Sequence, residues 1–281
     1  MNRRNEEKLA IGLMRLSLYG VVLILAAIMA VIVVKGFSAM SWSMITQTPK
    51  GGFYLGKEGG VANAIVGSIY LAGGATFLSL LISVPLAFAL QKEYSSGRLT
   101  YYSRLALDVL WGTPSIVYGA FGFIIMMMIG LRSSLLAGII TLALLVTPIM
   151  TRAMEEIIRM APQELKETAC ALGLTRLESS STVILRQTIG GLLTAVMLAF
   201  SRAIGDAASI LFTAGFSDHM PGSLLDPVAS LPLAVFFQIS TPIVEVQQRA
   251  YASALILFII VLLLSLLSRW IYLKFSQNVI K

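Results

Sequence analysis

The sequence is poor in the residues that form disulfides and metal centres. It contains one cysteine, Cys170, and one histidine, His219. A single cysteine excludes a disulfide within the chain. One histidine beside Asp218 falls short of the ligand clusters that bind metals, so we interpret His219 as a solvated turn residue and expect no metal centre.

Charge is also scarce. Only 12% of residues are charged, 57% are hydrophobic, and the mean hydropathy is +0.84. This composition is typical of an integral membrane protein. Six apolar runs approach or exceed the roughly 20 residues that a helix needs to cross a membrane: 16–34, 63–90, 109–131, 133–151, 188–215 and 250–268. Such runs favour helices over barrel strands, so we predict an all-α, polytopic fold with six transmembrane helices.

The runs also suggest a division of the chain. Residues 1–62 would hold an amino-terminal cytoplasmic segment, the first span and an external loop. Residues 63–273 would form the membrane domain, with a charged cytoplasmic loop at 152–187, and 274–281 a cytoplasmic tail. The uncharged stretch 227–244 contains three prolines, and we interpret it as an interfacial or re-entrant piece.

The basic residues predict the orientation. With six spans, the termini and the loops 91–108 and 152–187 share one side and carry 15 Lys/Arg, against five on the other side. By the positive-inside rule, both termini face the cytoplasm. Because no basic face is interleaved with aromatic residues, we expect no nucleic-acid partner.

One external segment superficially matches a phosphate-binding loop. Gly51, Gly56 and Lys57 have the required spacing, but Glu58 stands where a hydroxyl should hold magnesium. We therefore expect no nucleotide site on this chain, and no enzymatic activity of its own.

The cytoplasmic loop contains a predicted short helix at 162–174. Pro162 begins it and Gly173 ends it, which is the usual asymmetry of a short helix. Leu165, Ala169 and Leu172 would share one face, which could press into a partner's groove. The charged residues lie elsewhere: Glu164, Lys166 and Glu167. The alternative is a surface helix that only covers the membrane mouth.

Several motifs connect this helix to a known family. The residues Glu167-Thr168-Ala169 and Leu172-Gly173, followed by VIL at 183–185, resemble the EAA motif of ABC importer permeases. Three further stretches are similar to phosphate ABC transporter permeases of the PstA type: GTPSIVYG at 112–119, TPIMTR at 147–152 and RAIGDAA at 202–208. The similarity covers roughly residues 63–270.

The resemblance implies an ABC importer type I permease fold in the cell inner membrane. It implies that Glu164, Leu165, Glu167, Ala169, Leu172 and Gly173 couple the chain to a cytoplasmic ATPase. The expected partners are a PstC-type permease in a heterodimer, a PstB-type ATPase dimer, a PstS-type phosphate-binding protein and membrane lipid. No cofactor would bind this chain, because ATP and magnesium belong to the ATPase.

Two charges interrupt the fifth apolar run. An uncompensated Arg202 would cost about 3 to 10 kcal/mol or more inside a membrane, so it should face a cavity or a partner. Asp206 lies four residues further on, which allows an ion pair on one helical face. A guanidinium on a transport pathway could bind an oxyanion, and Asp206 would orient it. The alternative is a purely structural ion pair.

The resemblance adds Arg152, at the end of the fourth run, to the substrate pathway with Arg202 and Asp206. The family usually has glutamate where Asp206 stands. Arg152 could instead be an interfacial anchor.

Two other functions stay open at this stage. One is an ABC permease for a different oxyanion, such as sulfate or molybdate. The other is a membrane scaffold or sensor that transports nothing. The function that the resemblance favours is a permease subunit of an ATP-driven inorganic phosphate importer, which forms half of its translocation pathway.

Overall fold

The fold is known from a computed structural model that describes residues 3–50, 58–91, 94 and 97–276. Its helices are α1 (Arg3–Ala39), α2 (Trp42–Thr46), α3 (Ala62–Ala89), α4 (Arg98–Gly112), α5 (Ser115–Met128), α6 (Leu135–Arg159), α7 (Gln163–Ala171), α8 (Arg176–Glu178), α9 (Leu185–Ile204), α10 (Leu231–Gln238) and α11 (Val244–Ser276). A π-helical turn, Ser179–Ile184, joins α8 to α9. Short strands β1 (Pro49–Lys50) and β2 (Glu58–Gly59) pair antiparallel. The phosphate-loop spacing at 51–57 lies outside the described residues.

The predicted all-α membrane fold is confirmed. Within the described ranges, five helical stretches are long and apolar enough to cross a membrane: Glu7–Ala39, Ala62–Ala89, Leu135–Arg159, Arg176–Ile204 and Val244–Lys274. The pair α4 and α5 makes a sixth when it is counted as one span.

The third predicted span is wrong as a continuous helix. The axes of α4 and α5 differ by 101° across a short break. At the break, Thr113 and Pro114 have extended backbone, with ψ angles of 130° and 137°. Proline has no N–H to donate, and it disfavours helical geometry in the residue before it. The run at 109–131 is therefore two helices.

Two further span boundaries need correction. The fourth span continues to Arg159, so Arg152 lies inside α6 rather than at its end. The fifth predicted span, 188–215, stays helical only to Ile204. Beyond it, the Asp206 carboxylate accepts the backbone N–H of Ser209 at 2.9 Å, and this bond stabilises a turn in place of the helix.

The proline-rich stretch 227–244 is not a span. It contains the short helix α10, in which Leu231, Leu233 and Ala234 are fully buried. The Ser230 hydroxyl caps this helix by accepting from the Leu233 N–H, and the Ser68 hydroxyl accepts from the Leu231 N–H at 2.8 Å. The segment thus folds back against α3 and α11.

Helices α3 and α6 form the centre of the bundle. Small residues and hydroxyls line their contact. Ser79 donates to the Ala143 carbonyl at 3.0 Å, and Thr151 donates to Ser83 at 3.0 Å. Interhelical hydroxyl contacts and close backbone approach are the usual source of helix association in membranes, because lipid gives no hydrophobic driving force.

Helices α1 and α11 pack together at the edge of this bundle. Gly36 of α1 lies against Tyr251 and Leu255 of α11. The Lys35 ammonium sits 4.8 Å from the centre of the Tyr251 ring and donates to its hydroxyl at 3.3 Å. Over residues 9–34, the side chains of α1 are largely exposed and apolar, as suits contact with lipid.

Two glycines of α3 provide a matched test of this packing. An alanine Cβ at Gly67 would overlap the carbonyl oxygen of Ala229, whereas nothing lies within 4 Å of a Cβ at Gly73. We expect Gly67→Ala to destabilise the protein by about 1–3 kcal/mol through overpacking. Gly73→Ala should be neutral or stabilising by up to about 1 kcal/mol.

The measurement is the thermal unfolding midpoint of each purified variant in the same detergent. Equal midpoints for the two variants would contradict the close approach of α3 to Ala229.

Candidate functional site

The predicted ion pair between Arg202 and Asp206 is present. The Arg202 Nη1 donates to Asp206 Oδ1 at 2.8 Å. The Asp206 side chain is 4% exposed, while that of Arg202 is 42% exposed. Asp206 is therefore the buried member of the pair, and part of the Arg202 side chain is exposed.

The helix end explains this arrangement. Arg202 occupies the last turn of α9, where a cation is favoured by the negative end of the helix dipole. Asp206 follows Gly205, just beyond the helix, and its second carboxylate oxygen holds the Ser209 N–H. One carboxylate thus fixes both the guanidinium and the turn, although Arg202 and Asp206 do not share a continuous helix as predicted.

The backbone that follows Asp206 is non-helical but largely buried. Ser209, Ile210, Thr213 and Ala214 are all at most 1% exposed. In membrane proteins, non-helical backbone is tolerated only where protein covers it or where it lines a watery cavity. Ala207, Ala208 and Leu211 of the same stretch are partly exposed, so the stretch 205–217 is a candidate wall of a pathway.

Glycines on α5 and α6 allow close packing of these helices around the stretch 205–217. An added Cβ at Gly119 would lie 2.8 Å from the Ala208 carbonyl oxygen, and one at Gly122 would lie 2.6 Å from the Thr141 hydroxyl. A Cβ at Gly138 would lie 2.9 Å from that of Ala214. The Ser209 hydroxyl of this stretch is buried, and it has no hydrogen-bond partner among the described residues.

Arg152 lies in a different set of ion pairs. Its Nη1 donates to Glu155 at 2.6 Å, and its Nε lies 3.0 Å from Asp108 of α4. The structure thus places Arg152 and Arg202 in separate charge groups among the described residues. The assignment of Arg152 to a substrate pathway stays a prediction.

Sequence reasoning missed the acidic partners of Arg152. Glu155 is 3% exposed and also accepts from Arg104 of α4 at 2.7 Å. One signal was available, because Glu155 follows Arg152 at a spacing that lets helical side chains meet. The contribution of α4 was not visible, since Arg104 lies 51 positions away.

The predicted cytoplasmic helix is present as α7. Pro162 is its N-cap residue, and Gly173 follows its C-cap with a φ of +88°. Positive φ strongly favours glycine, so Gly173 ends the helix for a conformational reason. An added Cβ there would meet nothing within 4 Å.

The predicted single apolar face of this helix is wrong. Ala169 is buried against the protein's own chain, whereas Leu172 is 79% exposed. Leu165 is half-buried, and Glu164 and Glu167 are exposed. The surface that α7 offers to a partner therefore combines acidic side chains with Leu172, while Ala169 holds the helix in place.

Comparison with known proteins decides the family. Residues 79–281 match the family described as binding-protein-dependent transport system inner membrane component. The chain belongs to this family. The match begins inside α3, so α1, α2 and the strand pair precede the shared region. The fold class and the resemblance to PstA-type permeases are both confirmed.

Individual relatives agree with this assignment. The permease is 33% identical to the phosphate transport system permease protein PstA of Yersinia pestis over 97% of this chain and 92% of that protein. It is 30% identical to PstA of Haemophilus influenzae, over 95% of this chain and 94% of that protein. It is also 30% identical to the probable ABC transporter permease protein YqgI of Bacillus subtilis, over 99% and 100% of the two chains.

A solved structure shares the fold. The permease is similar to a chain of the inward-facing MetNI methionine ABC transporter, with a TM-score of 0.63 and 15% identity, over 76% of this chain and 95% of that chain. The chain is thus a multi-pass membrane permease subunit with the fold of ABC importers.

Proposed function

We propose that this chain is the PstA-type permease subunit of an ATP-driven inorganic phosphate importer and forms half of its translocation pathway. The observation that carries the proposal is the Arg202–Asp206 pair, in which a partly exposed guanidinium is held by a buried carboxylate beside non-helical backbone. The phosphate permeases among the relatives support the choice of anion.

The pair suits transient binding of an oxyanion. A guanidinium has five N–H donors in a planar fork that matches two phosphate oxygens. In the described structure one nitrogen of Arg202 bonds Asp206, so the other donors can face an anion. Asp206 orients the fork, and its negative charge also weakens the hold on the anion, which allows release.

Arg152 enters the pathway as a second, weaker proposal. Its guanidinium is shared by Glu155 and Asp108. An anion could replace the more exposed Asp108, whose side chain is 49% exposed, but would not readily displace the buried Glu155. We therefore place the primary anion contact at Arg202.

The cytoplasmic helix α7 would dock on the ATPase. Its exposed Glu164, Glu167 and Leu172 form the proposed contact surface, and Leu165 flanks it. Ala169 and Gly173 fix the position and the end of the helix. ATP and magnesium would bind to the ATPase, and this chain would bind no cofactor and perform no catalysis.

The proposed assembly has four further components. They are a PstC-type permease beside this chain, a PstB-type ATPase dimer below it, a PstS-type phosphate-binding protein outside and the surrounding lipid. The excess of basic residues on the two termini and the loops 91–108 and 152–187 supports an inner-membrane orientation with both termini in the cytoplasm.

The first test replaces Arg202. In vesicles that contain the full complex, we expect Arg202→Gln to lower ATP-dependent uptake of labelled phosphate by about tenfold or more, because a charge-assisted hydrogen bond contributes about 1.5–3 kcal/mol. Arg202→Lys should be intermediate, since it keeps the charge but loses the fork. Arg269→Gln, at the exposed cytoplasmic end of α11, is the matched control.

Competition in the same vesicles separates the alternatives. Unlabelled phosphate should compete with labelled phosphate, and sulfate and molybdate should not. Equal competition by sulfate would identify a permease for another oxyanion.

A purified complex that contains no ATPase would favour the scaffold instead. Unchanged uptake by Arg202→Gln would remove Arg202 from the pathway.

The docking proposal is tested at Gly173. Gly173 is sensitive to substitution because of its positive φ and not because of lack of space. Gly173→Val should therefore strain the end of α7, whereas Gly173→Asn should be tolerated. We expect the valine variant to lose most of its bound ATPase during purification, and the asparagine variant to retain it. Equal retention by both variants would argue against docking through α7.

A further inference from the structure

A chain of four alternating charges links α4 to α6. It runs from Arg104 to Glu155 at 2.7 Å, from Glu155 to Arg152 at 2.6 Å, and from Arg152 to Asp108 at 3.0 Å. We call these four residues the α4–α6 clamp. Two positive and two negative charges balance, and Glu155 is its buried centre.

Backbone contacts tie the clamp to the end of α3. The Arg104 Nη2 donates to the Leu90 carbonyl at 2.8 Å, and the Gln91 side chain donates to the Glu155 carbonyl at 3.2 Å. Three segments of the chain therefore meet at one point. Each contact uses a buried or partly buried group, so bulk water screens this cluster less than a surface pair.

Helix α4 has few other attachments to the bundle. Only Thr100 and Leu107 among its residues are buried, and it leaves α5 at an angle of 101°. Its large side chains Tyr101, Val109 and Trp111 are exposed. The clamp is thus the main polar attachment that sets where α4 lies relative to α6.

The clamp lies near the end of α6 that leads into the proposed docking helix. Glu155 is one turn before the end of α6 at Arg159, and α7 begins at Gln163. A displacement of α7 would act on the last turn of α6 through the short connection 160–162, and also on the π-helical turn Ser179–Ile184 against which α7 packs. The displacement would then pass through Glu155 and Arg152 to α4. From α4 it would pass to α5, whose glycines contact the stretch 205–217.

The geometry points to Glu155 as a positioning residue that transmits movement of α7 to α4 and so couples ATP hydrolysis to transport. Glu155 acts through Arg104 and Arg152 and does not contact the anion. This inference rests on the proposed function of the chain, and it adds a role for a residue outside the primary anion contact at Arg202 and outside the docking surface.

The test compares charge-balanced and unbalanced clamps in the full complex in vesicles. Glu155→Gln leaves two arginines facing one carboxylate, so we expect at least a threefold rise in the ATP hydrolysed per phosphate taken up. The double variant R104Q/E155Q restores the charge balance and allows an amide–amide hydrogen bond. It should return most of the way to the ratio of the unmodified complex.

A neighbouring residue supplies the control. Glu156 adjoins Glu155, but its side chain is 64% exposed, and its ion pair among the described residues is a 3.7 Å contact with Arg159. Glu156→Gln should leave the ratio unchanged. A merely structural role for Glu155 would lower uptake and ATP hydrolysis together and would leave their ratio constant, and that result would overturn the inference.

Two readouts keep the test decisive. If the Glu155→Gln complex cannot be isolated, the comparison passes to R104Q/E155Q against R104Q alone, which is also unbalanced. A higher ATP cost for R104Q supports the clamp, and equal costs overturn it. Failure of the unmodified complex to take up phosphate would instead contradict the proposed function. In that case the clamp is tested by measuring how strongly added binding protein stimulates ATP hydrolysis. Glu155→Gln should weaken this stimulation, and Glu156→Gln should not.

Discussion

The structure of this permease depends on pairing charged side chains and non-helical backbone groups with partners inside an apolar bundle. Asp206 achieves both with one carboxylate, because one oxygen pairs with Arg202 and the other accepts the Ser209 N–H. Without that carboxylate, a guanidinium would remain in the membrane segment without its partner, and the turn after α9 would lose its cap. In the proposed function, the exposed part of Arg202 is the group that a passing anion would contact.

The surrounding packing makes this compensation possible. Glycines at 119, 122 and 138 let α5 and α6 approach the stretch 205–217, and the hydroxyls between α3 and α6 hold the centre of the bundle. At the end of α6 that leads into α7, the same requirement for paired charge produces the α4–α6 clamp. Charge pairing therefore occurs at two levels of the permease: at the end of α9, and where α6 leads into α7.

The sequence predicted features that depend on local pattern. Long uncharged runs indicated the spans, Pro162 and Gly173 indicated α7, and the four-residue spacing indicated the Arg202–Asp206 pair. It did not predict which proline breaks a helix. Pro85 and Pro148 lie within continuous helices, whereas α4 ends just before Pro114. The outcome at Pro114 depends on neighbours such as Tyr118, which donates across the break to the Leu110 carbonyl at 2.8 Å.

The position of a bound anion in the assembled transporter would show whether Arg202 contacts the anion. Crystals of the full complex, with an ATPase unable to hydrolyse ATP, would be soaked in arsenate, and anomalous scattering would locate the arsenic. We expect a peak near Arg202, with arsenate oxygens about 2.7–2.9 Å from its guanidinium. A peak elsewhere in the membrane region, with Arg202 contacting only Asp206, would contradict it.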